Sequence, residues 1–183
     1  MKKFILIAAL LASTASWAGE YASIDFNNKD KQSSDQVNRV IGLNVGTALD
    51  NGFRVEGRLE NEMVETPTKH EGLVQIKAQQ DLGTFANITP YVGVGTGYKS
   101  KADDNFNFYV AEAGARTAFG PVGVQYGYRW RDAYTSGHSY GTHENSLTIS
   151  YALDKSNTVF VRGAVERGDS DYNTVGLGFK HAF

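Results

Sequence analysis

The residues best suited to chemistry in this 183-residue chain are carboxylates and histidines in two polar stretches. Asp103 and Asp104 are adjacent, and His138, His143 and Glu144 lie in the second stretch. Carboxylates and imidazoles can act as general acids and bases, so a hydrolase at the rim of the fold is a minor alternative. Because Asp and His are also ordinary residues of solvated loops, we predict no catalytic residues and no enzymatic activity.

The sequence contains no complete site for metal, phosphate or thiol chemistry. The histidines and Glu144 of the second stretch could ligate a metal, but a solvated loop gives them no fixed scaffold. Gly93, Gly95 and Gly97 lack the G-x-G-x-x-G spacing of a phosphate-binding loop. Cysteine is absent, and the net charge of -2 gives no electrostatic footprint for nucleic acid. We predict no metal, no cofactor and no nucleic-acid partner.

Residues 1–18 have the features of a secretory signal peptide. Lys2 and Lys3 precede an apolar stretch that is too short to span a bilayer, and small residues stand at positions 16 and 18. Cleavage after Ala18 would leave residues 19–183 as one domain. An exported chain without cysteine folds in an oxidising compartment without thiol chemistry.

From Gly19 onward, apolar residues alternate with polar ones, which is the period of a β-strand. In residues 53–63, Phe53, Val55, Leu59 and Met63 share one face, and the charged residues share the other. The same alternation runs through residues 22–26, 41–49, 74–82, 92–98, 109–119, 122–130, 147–153, 159–165 and 175–183. The sequence therefore predicts an all-β chain of ten strands, with eight as the alternative.

The connections between these strands alternate between long and short. Tight turns with Gly, Asn, Asp or Pro occur at residues 50–52, 83–87, 120–121 and 154–157, and polar connections occur at 28–36, 64–72, 100–105, 133–143 and 168–171. No apolar run is long enough for a membrane helix, but alternating strands give a polar average even in a membrane barrel. Short turns on one side and longer loops on the other are typical of an antiparallel outer-membrane β-barrel with both termini in the periplasm.

Two segments resemble known barrels. Val175, Leu177 and Phe179 alternate before a terminal Phe183, and this ending resembles the carboxy-terminal signature of bacterial outer-membrane barrels. Residues 88–98 (ITPYVGVGTGY) are similar to a strand of small OmpA-type barrels. The chain thus resembles small bacterial outer-membrane β-barrel proteins of the OmpA-type or small monomeric porin-like kind. The resemblance implies contact with outer-membrane lipids and lipopolysaccharide, and insertion by the barrel-assembly machinery through those four apolar residues.

Side-chain size favours a membrane barrel over a soluble one. A soluble barrel would alternate as well, with its apolar face inward. Here the polar face is rich in glycine, which suits a crowded interior and would only weaken strands on a solvated surface. Aromatic residues also fall near both ends of the strands, as at the two interfaces of a bilayer. We therefore expect the apolar face to meet lipid.

The polar face of each strand then lines the lumen. The predicted lumenal bases are Arg54, Arg58, Lys77, Arg116, Arg129, Arg131, Arg162 and Lys180, and the predicted acids are Asp25, Glu56, Glu60, Glu62, Asp81, Glu112, Glu144 and Glu166. Their balance predicts no strong preference for anions or cations. Barrels of about eight strands are filled by their own side chains, so ten strands leave a narrow opening or none.

The predicted function is a narrow porin-like conduit for small solutes. The alternative is a closed barrel, filled by salt bridges, with a structural or surface-binding role through its outer loops, above all residues 133–143. The sequence leaves the two open because the pore radius depends on the shear of the barrel and on side-chain conformations.

Overall fold

Strand-forming alternation extends over nearly the whole described chain. The computed structural model describes residues 19–32, 36–65, 68–101, 104–135, 140–169 and 171–183, so the predicted signal peptide lies outside it. The strands are β1 (Glu20–Lys31), β2 (Val37–Ala48), β3 (Phe53–Glu65), β4 (Thr68–Asp81), β5 (Ile88–Ser100), β6 (Asn105–Phe119), β7 (Val122–Ala133), β8 (Thr142–Ala152), β9 (Asn157–Gly168) and β10 (Tyr172–Ala182).

The strands close into one barrel. Each strand pairs antiparallel with the next, and β1 pairs with β10 from Tyr21 opposite Ala182 to Lys31 opposite Tyr172. Closure leaves no sheet edge, so backbone donors and acceptors are satisfied between strands even in hydrocarbon. The prediction of a transmembrane up-and-down barrel with ten strands is confirmed, and the eight-stranded alternative is wrong. None of the described residues forms a helix long and apolar enough to cross a membrane.

The register brings the apolar faces of neighbouring strands together on the outside of the barrel. Phe26 lies between Ile41 and Leu177, and Val161 lies between Ile149 and Leu177. These side chains are exposed, Val161 by 58% and Leu177 by 62%. A continuous apolar belt of this kind is far larger than the exposed apolar patches of soluble proteins. It is therefore the surface that meets lipid.

The two ends of the barrel differ. One end, which we call the turn end, has the tight connections and the start of β1 and the end of β10. The opposite end, the loop end, has the other connections. At the loop end the predicted loop at residues 64–72 is wrong, because β3 and β4 pair as far as Glu65 and Thr68. Likewise β1 continues to Lys31, past the predicted start of a loop at Asn28. Above the lipid both faces of a strand meet water, so polar residues on both faces do not end it.

Local hydrogen bonds fix the tight turns. Gly52 has a φ of +80°, which favours glycine, and Asn51 Oδ1 accepts the Phe53 N–H at 3.0 Å. Between β8 and β9, Asp154 accepts hydrogen bonds from the side chain of Asn157 and from the backbone N–H groups of Ser156 and Asn157, and these bonds lower the pKa of Asp154. Turns built in this way hold the register, and a slip by one residue would turn every charged face into lipid.

We expect the cost of a charge on the outer surface to depend on its depth. Val161→Arg, in the middle of the apolar belt, should lower the free energy of unfolding in lipid vesicles by about 2–4 kcal/mol. Leu153→Arg, exposed in the β8–β9 turn, should cost at most about 1 kcal/mol because its side chain reaches water. Denaturant unfolding of both variants tests this, and equal costs would contradict a lipid-facing belt.

Candidate functional site

The lumen contains a polar cavity of about 690 Å³. Thr84 and Asn87, in the β4–β5 connection, line it at the turn end, and Lys29 and Arg131 line its upper part. Of the residues predicted to line the lumen, the cavity wall includes Asp25, Arg54, Glu56, Arg58, Glu60, Lys77, Arg116, Arg129, Arg131, Glu144, Arg162 and Lys180. The remaining predicted residues, Glu62, Asp81, Glu112 and Glu166, each form an ion pair with a lysine or arginine of the lumen.

Arg58 is the centre of the ion-pair network on β1 to β3. Its guanidinium donates to both oxygens of Asp25 at 2.9 Å, to Glu60 Oε1 at 2.5 Å and to Asn44 Oδ1 at 2.7 Å. Asp25 also accepts hydrogen bonds from Asn27 and Asn44. Gly42 leaves the space for this cluster, since an added Cβ would lie 2.6 Å from the Arg58 guanidinium.

A second network lies on β7 to β9. Glu144, 6% exposed, accepts hydrogen bonds from Arg129 at 2.5 Å and from Arg162. Arg131 donates to Glu166 at 2.5 Å. Charge-assisted hydrogen bonds of this kind are roughly twice as strong as neutral ones, and here they join side chains of neighbouring strands and, between Arg131 and Glu166, of strands two apart.

Between these networks, Lys77 joins two carboxylates. Its ammonium lies 3.2 Å from Glu56 and 3.5 Å from Glu112. Glu56 also accepts a hydrogen bond from the Tyr21 hydroxyl at 2.6 Å. In the middle of the lumen, one ammonium group is therefore shared by two carboxylates.

The turn end of the lumen has a different balance of positive and negative charge. Arg116 donates to Asp81 at 2.7 Å, and Arg54 lies 3.6 Å from the other oxygen of the same carboxylate. The Lys180 ammonium lies 3.9 Å above the Tyr21 ring and has no ion pair with a described carboxylate. Two arginines therefore share the carboxylate of Asp81, and Lys180 adds a third cation at this level of the described lumen.

The sequence prediction missed charged residues near the loop end. Lys29 and Lys99 both approach Glu62, at 3.3 and 3.6 Å, and Lys99 also approaches Glu71 at 3.0 Å. Lys29 has the same alternation as Asp25 but falls in the segment predicted as a loop, as does Glu71. The alternation of β1 and β4 could have identified both, had the strands been extended above the apolar belt.

An apolar cluster lies inside the barrel at the loop end, above the cavity. Phe106, Phe108, Val110 and Leu73 point inward from β4 and β6, and Tyr140 from the β7–β8 connection packs on them. The Tyr140 ring lies 4.7 Å from Phe106 and 5.3 Å from Phe108 in edge-on geometry. Phe108 has 0% exposure and Tyr140 has 3%. The expectation of a lumen lined only by polar side chains is therefore wrong at the loop end.

Cations and a backbone clamp hold Tyr140 in this position. The Arg131 guanidinium lies 5.0 Å from the centre of the Tyr140 ring, and Lys99 lies 5.8 Å from it. The next residue, Gly141, donates its N–H to Asp169 Oδ2 at 2.7 Å and accepts the Asp169 N–H at 3.0 Å. Tyr140 thus lies inside the barrel. It is not available for the surface binding that the sequence predicts for residues 133–143.

The residues proposed for a rim hydrolase do not form a site in the described chain. His143 lies on the outer surface, where its ring stacks on Tyr128 and its Nδ1 is 2.6 Å from the Tyr128 hydroxyl. Glu144 points into the lumen. Asp103 and His138 lie outside the described residues. No group of three His, Asp or Glu side chains in the described ranges has the arrangement of a metal site.

The carboxy-terminal signature lies on the outside of the barrel. Val175 and Leu177 are exposed by 66% and 62%, and Phe179 follows them on the same face of β10. Phe183 is 78% exposed and donates its N–H to the carbonyl of Glu20 at 3.0 Å. Recognition of these residues by an assembly machinery stays a prediction.

Comparison of this barrel with solved structures shows its fold. An outer-membrane channel from Pseudomonas putida F1 is similar over 92% of this chain and 97% of its own, with a TM-score of 0.59 and 9% identity. The NanC porin is similar over 87% of this chain and 100% of its own (TM-score 0.54, 10% identity). The β-domain of the Bordetella autotransporter BrkA is similar over 90% and 99% (TM-score 0.54, 13% identity). This chain has the fold of outer-membrane β-barrels.

Sequence comparison adds no closer relative. No protein-family model matches the chain, and no curated protein is similar to it in sequence. The structural likeness confirms the predicted resemblance at the level of fold. A channel, a porin and an autotransporter domain share that fold, so the contents of the lumen have to indicate the function.

We expect Arg58 to contribute strongly to stability. Arg58→Leu leaves Asp25 and Glu60 buried without their main counter-ion, and should lower the free energy of unfolding by about 3–5 kcal/mol. Lys180→Gln removes a cation that only contacts an aromatic ring, and should cost about 1 kcal/mol or less. Denaturant unfolding in detergent micelles measures both, and similar small costs would show that the Arg58 network is screened by water.

Proposed function

We propose that this protein is an outer-membrane β-barrel that acts as a narrow porin-like conduit for small solutes, with both termini in the periplasm. The observation that carries the proposal is the charged cavity. Its volume of about 690 Å³ holds on the order of 20 water molecules at about 30 Å³ each. A barrel with a purely structural role does not need a hydrated, charge-lined space of this size.

The charged wall supports the passage of polar solutes. Hydroxyl and amide side chains lie between the ion pairs along the cavity, among them Ser23, Gln79, Thr148 and Ser150. Paired charges and neutral polar groups replace part of the hydration of a solute without holding it tightly, which is what conduction requires. The small volume favours ions and small metabolites over polymers.

The apolar cluster around Tyr140 is the constriction of this conduit. Aromatic rings that exclude water form a barrier to polar solutes. Tyr140 comes from a connection and packs on rings that belong to a strand, so the constriction consists of both loop and wall side chains.

The second candidate is a closed barrel with a structural or surface-binding role. The observation that favours it is the same cluster, because Phe106, Phe108 and Val110 belong to the wall itself and are almost fully buried. We propose no enzymatic activity for either candidate, and the opposite orientations of His143 and Glu144 support this. Contacts with lipopolysaccharide and insertion by the barrel-assembly machinery are part of the proposal.

Removal of the Tyr140 ring tests the conduit. Tyr140→Ala should raise the single-channel conductance in planar bilayers several-fold over the unchanged protein, because the ring occupies the constriction. Tyr134→Ala is the matched control, since Tyr134 is in the same connection but exposed by 59% on the outside of the barrel. If neither the unchanged protein nor Tyr140→Ala conducts, the conduit is wrong and the closed barrel is favoured.

A further inference from the structure

The charges of the lumen are unevenly distributed along its axis. Near the loop end, Lys29 and Lys99 are matched by Glu62 and Glu71, and Arg131 is matched by Glu166. At the turn end, Arg54 and Arg116 share the carboxylate of Asp81, and Lys180 has no ion pair with a described carboxylate. The sequence predicts equal numbers of lumenal acids and bases, but the turn end of the described lumen has more cations than carboxylates. We call this end the cationic mouth.

Arg54 and Lys180 are the cations of this mouth with the weakest compensation. Arg54 approaches Asp81 only at 3.6 Å, since Arg116 occupies the same carboxylate at 2.7 Å. Lys180 has the Tyr21 ring as its contact. The side chains of Arg54, Arg116 and Lys180 all line the polar cavity.

Arg54 and Arg116 each also have a hydrogen-bond donor without a partner in the described chain. The Nε–H groups of Arg54 and Arg116 are buried and have no hydrogen-bond acceptor among the described residues. A buried donor without an acceptor costs free energy, and the cost is larger for a charged group. An oxygen-bearing anion satisfies such donors and the excess positive charge together, because guanidinium groups match carboxylates and phosphates in geometry.

Aromatic and amide groups keep these cations in place. The Arg116 guanidinium lies 4.6 Å above the ring of Tyr91, whose hydroxyl accepts a hydrogen bond from Gln125 at 3.0 Å. On the opposite side, Tyr21 supports Lys180 with its ring and binds Glu56 with its hydroxyl. The cations are thus positioned by the barrel wall before any ligand arrives, which lowers the entropic cost of binding.

We propose that Arg54, Arg116 and Lys180 form a binding site for a small oxyanion, a carboxylate or a phosphate group, at the turn-end mouth of the lumen. Its part in selecting solutes rests on the proposed function, because a bound anion lies on the path of a permeating solute. The site gives the conduit a preference for anions that the overall charge balance does not.

Binding measurements test the site without reference to conduction. Inorganic phosphate and acetate are titrated separately, by calorimetry, into the full barrel in detergent micelles. The double variant R54Q/K180Q removes the two least compensated cations and leaves the Arg116–Asp81 pair intact. We expect its affinity for the bound probe to fall about tenfold, as expected from the loss of two attractive charges near an anion.

Two further variants keep the result interpretable. Asp81→Asn removes the competing carboxylate and should strengthen the binding of the same probe, which a folding defect would not do. Lys155→Gln removes a cation of the exposed β8–β9 turn, outside the lumen at the same end, and should leave the affinity unchanged. Binding of acetate alone, of phosphate alone or of both supports the site and identifies the oxyanion. No binding of either probe to the unchanged barrel, equal affinity in R54Q/K180Q, or an equal loss in Lys155→Gln overturns it.

Reversal potentials in a KCl gradient separate this inference from the proposed function. Chloride should permeate more readily than potassium through the unchanged barrel, and R54Q/K180Q should reduce that preference at least by half. A current with no anion preference and no bound oxyanion overturns the site but leaves the conduit. Binding of an oxyanion without any current overturns the conduit but leaves the site.

Discussion

The structure depends on keeping every ionic side chain away from hydrocarbon. A closed sheet can cross lipid because its backbone groups are all paired, and its side chains then alternate between lipid and lumen without exception. In β3 this rule places Arg54, Glu56, Arg58, Glu60 and Glu62 inside the barrel. Once inside, they need partners, because a buried charge without a counter-ion is costly.

The need for partners explains how the lumen is organised. Side chains of neighbouring strands share carboxylates and guanidinium groups, as Glu144 does between Arg129 and Arg162. Glycines on the inner face make room for these long side chains and for the Phe108 ring, which an added Cβ at Gly97 would contact. The wall is therefore rigid where charges are paired. The apolar cluster at the loop end combines side chains of this wall with Tyr140, which comes from a connection.

The uneven placement of charge links this organisation to function. Equal numbers of acids and bases make a barrel neutral on average, but a solute in the proposed conduit would meet the charges one level at a time. The turn-end mouth has three cations, two of which share the carboxylate of Asp81, and the loop end has aromatic rings and matched ion pairs. A fold shared by a channel, a porin and an autotransporter domain thus carries its individual properties in a few lumenal side chains.

The sequence by itself determined the barrel: the strand number, the alternation and the identity of the outer face follow from local period and turn chemistry. The same alternation, extended above the apolar belt, also places Lys29, Phe106 and Phe108 inside, in segments that lie beyond the ends of the predicted strands. The tertiary structure alone decided which charges pair, because partners such as Arg131 and Glu166 lie on strands that the chain reaches only after intervening turns. It also decided that Tyr140 is buried inside the barrel, since an irregular connection has no period from which the direction of a side chain can be read.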